Sequence, residues 1–190
     1  HRQCQPACAP PRALSGDSGL TTADTGRDPA ERIAAALELV IDGLVRRDWA
    51  LICAESCTGG WVAKVCTDRP GSSRWFDRGL VTYSNEAKQE LLGVAPTILA
   101  AAGAVSQPCA EAMAEGARGG RDDRVSVAVT GIAGPDGGSA EKPVGLVWFA
   151  WALPQQTLSS EAVHLPGDRE AIRLGSVAHA LDGLARRLAA

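Results

Sequence analysis

The sequence predicts a layered α/β/α sandwich, a mixed sheet of about five strands with helices on both faces. Three observations predict it. Short, continuous apolar runs at 49–54 and 125–129 read as strands buried on both sides. Other segments space their apolar residues by three and four, as Ile33, Leu37, Val40, Ile41 and Leu44 do. The two kinds alternate along 190 residues, a length that builds one core more readily than two.

The elements follow in order. Residues 1–27, with Pro6, Pro10, Pro11 and only Leu14 and Leu20 as large aliphatics, cannot offset their ordering entropy and are expected to form a disordered tail, leaving 28–190 as the domain. Asp28-Pro29-Ala30-Glu31 combines a capping acid, a proline at the first helical position and an early glutamate, so a helix starts there and runs to about Arg47. Trp49 to Ala54 is a strand, and Glu55-Ser56-Cys57-Thr58-Gly59-Gly60 turns it into a helix carrying Trp61, Val62, Val65 and Cys66. Leu80 to Tyr83 reads as a second strand, Asn85 to Leu92 as a helix stopped by Gly93, and Pro96 to Ala102 as a short helix closed by Gly103. Val105 staples and Ser106 caps an alanine-rich helix to about Arg118. Strands at Val125–Val129, Val144–Ala152 and, with a weaker pattern, Gln156–Leu165 precede a final helix capped by Gly167-Asp168, with Leu174, Val177, Leu181, Leu184 and Leu188 as its stripe.

Composition excludes several classes of function. Nineteen Lys and Arg against 22 Asp and Glu give a net charge of −3, so the basic stripe of a nucleic-acid-binding module is missing. No apolar run approaches the roughly 20 residues a bilayer span needs, and His1-Arg2-Gln3-Cys4 does not begin a secretory leader. Cys4 and Cys8 lie in the tail, whereas Cys53, Cys57, Cys66 and Cys109 fall in apolar or helical segments, which fits free thiols in a reducing cytoplasm. Neither H-E-x-x-H nor paired C-x-x-C occurs, so no metal and no cofactor is expected.

Chemistry concentrates in two loops. Glu55 to Gly60 places hydroxyls and a thiol at a helix N-terminus, where Ser56 or Thr58 either caps the helix or serves a ligand. The 130–139 loop has four glycines and matches neither a P-loop nor a dinucleotide fingerprint; its amides either turn the chain or form an oxyanion hole. If Ser56 is a nucleophile it needs a base. His164 and His179 lie far along the chain, and Ala54 and Thr58 break the G-x-S-x-G elbow, so a buried lysine is the alternative activator with a tyrosine relay. Tyr83 and Lys88, five residues apart, offer both. Cys57 shares the helix N-terminus, which would favour its thiolate.

Ala54 to Gly60, Gly71-Ser72-Ser73, Trp75-Phe76, Val81 to Lys88, Gly103 to Ser106, Thr130 to Pro135 and Lys142 to Gly145, in unbroken order, resemble the C-terminal domain family of the competence- and damage-inducible protein CinA. Stand-alone members of that family are nicotinamide-nucleotide amidases. The resemblance implies hydrolysis of nicotinamide mononucleotide to nicotinate mononucleotide and ammonia in a cytoplasmic salvage route. It implies catalytic roles for Ser56, Tyr83, Lys88 and Thr130, with Thr58, Gly59, Gly60, Asn85 and Gly131 around the substrate. Arg169, at the positive end of the last helix, is expected either to pair with Asp168 or Glu170 or to receive the substrate phosphate. Thr130 with the amides of Gly59 or Gly131 would steady an oxyanion; whether Ser56 attacks covalently or orients water stays open at this point. The alternative function is a non-catalytic nucleotide-binding or protein-interaction module. The resemblance also raises a homo-oligomer, which tryptophan-rich surfaces would suit.

Overall fold

The computed structural model describes residues 21–22 and 26–190. The chain runs β1 (Thr21–Thr22), α1 (Pro29–Arg47), β2 (Ala50–Glu55), α2 (Trp61–Thr67), β3 (Phe76–Val81), α3 (Asn85–Leu92), α4 (Pro96–Ala102), α5 (Gln107–Arg118), β4 (Arg124–Gly131), β5 (Leu146–Ala152), β6 (Ser159–His164) and α6 (Arg169–Ala189). The tail expected over 1–27 lies mostly outside the described residues; Thr21–Thr22 runs parallel to β6.

The sheet is ordered β1-β6-β5-β4-β2-β3 and is mixed, as expected. β3, β2 and β4 are parallel neighbours, while β5 runs antiparallel to both β4 and β6. Alternation along each strand divides the core into two layers. Leu51, Cys53, Val125, Val127, Val129, Phe149 and Trp151 pack against α1, α2 and α6. Ile52, Ala54, Ala128, Ala150 and Ala152 face the other way, toward α3 and α5. That second face is small-residued, so α5 settles close enough for Ser126 Oγ to donate to Ala114 O at 2.6 Å.

Two local expectations change. The strand expected at Leu80–Tyr83 runs from Phe76 to Val81. It is an edge strand paired only to β2, so Asp77, Arg78 and Gly79 sit on it without an alternating apolar pattern. Asp28 stands at the N-cap of α1, but its side chain makes no capping bond; Pro29 and the acidic first turn mark that helix start. The caps expected elsewhere form: Ser106 accepts from Cys109 N, and Asp168 accepts from Ala171 N at 2.9 Å. All five tryptophans are buried or half-buried, so the tryptophan-rich surface is not present.

The packing that positions α3 depends on Gly116 of α5. A Cβ there would fall on the Leu92 carbonyl oxygen at the end of α3, a backbone atom that cannot move aside cheaply. Gly116→Ala is therefore expected to lower stability by about 1–3 kcal/mol and to shift α3. Thermal unfolding checks this, and a parental melting temperature would contradict the close approach.

Candidate active site

Strands β3 and β2 end level with one another, and β4 runs on beside them to Gly131. Glu55 is in register with Val81 on one side and with Val129 on the other. Ser56 N donates to Val129 O at 2.9 Å and Thr82 N to Glu55 O at 2.8 Å, so the pairing continues one residue beyond β2 and β3. Side chains alternate, and Glu55 and Ser56 consequently leave the sheet on opposite faces. Glu55, fully buried, turns toward α2, where its carboxylate accepts from the backbone N–H groups of Gly60, Val62 and Ala63 at 2.9–3.0 Å. The α2 N-terminus is thus held by Glu55, and neither Ser56 nor Thr58 caps it. Gly59 (φ +61°) and Gly60 (φ +94°) adopt the left-handed conformation that the tight turn requires.

Ser56 faces the α3–α5 layer and meets Lys88. Ser84 caps α3 by accepting from Ala87 N at 3.0 Å, and Lys88, one turn in, projects its amine beneath the strand ends. Its Nζ lies 3.0 Å from Ser56 Oγ, 2.7 Å from Thr82 O and 3.3 Å from Tyr83 O. Only 1% of the residue is exposed, and burial lowers its pKa from the usual lysine value. The two carbonyls can only accept. They take two N–H bonds, and in the neutral amine the third direction is a lone pair aimed at the Ser56 hydroxyl, the arrangement a general base requires.

The remaining expected residues are distributed unevenly. Tyr83 reaches Lys88 through its main-chain carbonyl; the residue is 63% exposed and its phenol accepts from Arg169 at 3.2 Å, so no tyrosine relay joins Lys88 to Ser56. Thr130 lies in the same row as Ser56, but its hydroxyl proton is committed to Ala104 O at 2.9 Å. The Gly59 amide is likewise taken by Ser56 O. Gly131 is required where β4 meets β5, since a Cβ would strike Val147 and Leu146 O. Asn85 is exposed at the start of α3. Arg169 pairs with neither Asp168 nor Glu170: it donates to Gly134 O at 2.5 Å and to the Tyr83 phenol, tying the start of α6 to two loops at the mouth of the site.

Cys57 points into the α1–α6 layer, and burial pushes its thiol up to about 11, which overrides the helix N-terminus and removes the thiolate. Neither histidine reaches Ser56: His179 is bonded to Glu161 and His164 to Val144 O. Two residues were not found by sequence reasoning. Glu55 carries a legible signal, an acid closing a buried strand just before a Gly-Gly helix start. Arg173 of α6 does not; it donates to Cys57 O at 3.1 Å and Thr58 O at 3.0 Å and lies over the Trp61 ring, a pairing visible only in three dimensions. Among the described residues no cluster of three or more His, Cys, Asp or Glu could hold a metal, and no helix is long and apolar enough to cross a membrane.

The model of the CinA C-terminal domain matches residues 33–188. The chain is 51% identical over 147 residues to nicotinamide-nucleotide amidohydrolase PncC of Escherichia coli K12, covering 77% of this chain and 89% of that protein. It is 48% identical over 157 residues to the protein of the same name from Pseudomonas putida, covering 83% and 96%. Among solved structures it is similar to the competence/damage inducible protein CihA of Agrobacterium tumefaciens, with 41% identity, a TM-score of 0.79 and coverage of 84% and 96%.

Removing the Glu55 carboxylate leaves three backbone donors without an acceptor. Glu55→Ala is expected to cost about 3 kcal/mol or more, and Glu55→Gln less, because one acceptor oxygen remains. Differential scanning calorimetry decides it; an alanine variant that melts with the parent would show that the turn does not depend on Glu55.

Proposed function

The chain belongs to the CinA C-terminal domain family, and on that premise we propose that it is a nicotinamide-nucleotide amidohydrolase, converting nicotinamide mononucleotide and water to nicotinate mononucleotide and ammonia. The observation that carries the mechanism is the 3.0 Å contact between Lys88 Nζ and Ser56 Oγ, with the amine seated on two carbonyls. Neutral Lys88 takes the Ser56 proton as Oγ attacks the carboxamide carbon. Main-chain amides of the turn that follows Ser56 are the donors this reading assigns to the oxyanion that forms. Lys88 returns the proton to the departing nitrogen, the C–N bond breaks and ammonia leaves. Water then loses a proton to Lys88, cleaves the ester and gives the carboxylate, and the proton goes back to Ser56.

Arg169 supports a place for the phosphate. It stands at the site mouth, bonded only to a carbonyl and a phenol oxygen, so its charge is not neutralised by a carboxylate among the described residues. The soluble chemistry of a small-molecule substrate accords with a cytoplasmic location.

Ser56→Ala is expected to reduce ammonia release by about 10³-fold or more with little change in folding, because Ser56 caps no helix. Lys88→Met should fail in kcat, and Lys88→Arg should fail as well, since a guanidinium does not yield its proton at working pH. In the parent, kcat should rise with pH through the lowered Lys88 pKa and level off above it, because the neutral amine is the base. An active Lys88→Arg variant would show that only positive charge is needed.

Arg169→Ala is expected to raise KM for the mononucleotide by about ten-fold or more while scarcely changing hydrolysis of the phosphate-free riboside. Equal losses on both substrates would assign Arg169 to the architecture of the mouth instead.

A further inference from the structure

Between α1 and α6 lies a cavity of about 760 Å³ whose walls share no residue with the Ser56 site. Its volume falls within the range of small-molecule sites, roughly 300–1,000 Å³. His179, only 6% exposed, forms its floor, about 15 Å along α6 from Arg169. The apolar part of the wall comes from Ala36 and Leu39 of α1 and Ala185 of α6, and Leu39 is 62% exposed.

Charge is unevenly spread around this space. Arg32 is bonded to Asp182, while Arg186 and His179 meet the same oxygen of Glu161 at 3.2 and 3.1 Å. Arg27, exposed at the rim, pairs with no carboxylate among the described residues. The arginines Arg27, Arg32 and Arg186 thus outnumber the carboxylates Glu161 and Asp182, and the excess sits at the rim, on Arg27 and on the largely exposed fork of Arg186.

His179 supplies an independent observation. A carboxylate only accepts, so in the neutral ring Nε2 carries the proton toward Glu161 and Nδ1 carries the lone pair. Nδ1 bonds to nothing among the described residues, yet it is not one of the fully enclosed unpaired atoms, which are Thr58 Oγ1, Thr82 Oγ1 and Arg118 Nε; it therefore opens onto the cavity that the residue lines. A phenylalanine would pack on Phe149, whose ring centroid is 4.6 Å away, without bringing a polar atom to this floor.

From these features we infer that the cavity is a binding site for a nucleoside monophosphate. The phosphate, with about −1.5 to −2 charge, meets the guanidinium groups of Arg27 and Arg186. A hydroxyl or N–H of the ligand donates to His179 Nδ1, and its flat ring covers Leu39 and the alanines beside it. An anion without a ring leaves the apolar wall bare, and a ring without an anion leaves the rim unanswered. The inference stands apart from the amidase reading, since none of these residues enters the reaction.

Isothermal titration calorimetry on the full chain tests it, with adenosine monophosphate, adenosine and inorganic phosphate as probes. The parent and Arg169→Ala should bind the monophosphate equally. Arg186→Gln and Leu39→Glu, both at exposed positions, should weaken it by about ten-fold or more at an unchanged melting temperature, and His179→Phe should weaken it as well. Adenosine and phosphate should each bind about ten-fold or more weakly than the monophosphate. No binding of the monophosphate, binding that Arg169→Ala abolishes, or binding that survives in all three cavity variants overturns the assignment. Phosphate that binds as tightly as the monophosphate would reduce the site to a charged rim, and adenosine that does so would remove the arginines from it; either result overturns the assignment too.

Discussion

A strand reverses its side chains at every residue, and at the end of β2 this rule puts a carboxylate on one face of the sheet and a hydroxyl on the other. Everything at the site follows from that pair. Glu55 binds three amides and fixes where α2 begins; Ser56, one step on, is thereby aimed at the opposite layer and at Lys88. Because the neighbouring strands end in the same register, the carbonyl of Thr82 lies beside the same point and accepts from the lysine amine. A sheet whose parallel strands stopped at different levels would offer no such shelf.

Burial decides the chemistry as much as distance does. A lysine that is almost fully enclosed disfavours its charged form, and carbonyl dipoles around it moderate the penalty without supplying a neutralising carboxylate. The same enclosure acts on Cys57 in the opposite sense, because there the charged form is the nucleophilic one. One turn therefore holds a thiol silenced by its surroundings and a hydroxyl activated by its neighbour, and they differ only in the face of the sheet to which each is directed.

The sequence disclosed the layers, the helix starts at Pro29 and Gln107 and the Ser56–Lys88 pairing, because these rest on local periodicity, capping chemistry and two separate motifs that the family resemblance joins. It was less legible where geometry overrides residue type. The phenol of Tyr83 suggested a relay, yet the strand end turns that side chain outward and leaves the carbonyl as the working atom. Thr130 suggested an oxyanion donor, yet its proton goes to a main-chain oxygen 26 residues away in sequence. Edge strand β3 was misplaced for a different reason: with one side unpaired it has no need of an alternating apolar pattern.

Arg173 gives the turn an unusual dependence on time. The carbonyls of Cys57 and Thr58 are held by a side chain 116 and 115 residues further along the chain, on the helix that also packs along α1. Contacts of such sequence separation carry a large loop-closure cost and belong to slow-forming topology. The pairings of β2 with β3 and β4 join partners nearer in sequence, whereas the clasp over the nucleophile's turn needs the last helix in place. The shape of the reaction centre is thus coupled to docking of α6, the helix whose Ile172, Val177, Leu181 and Leu184 also complete the core.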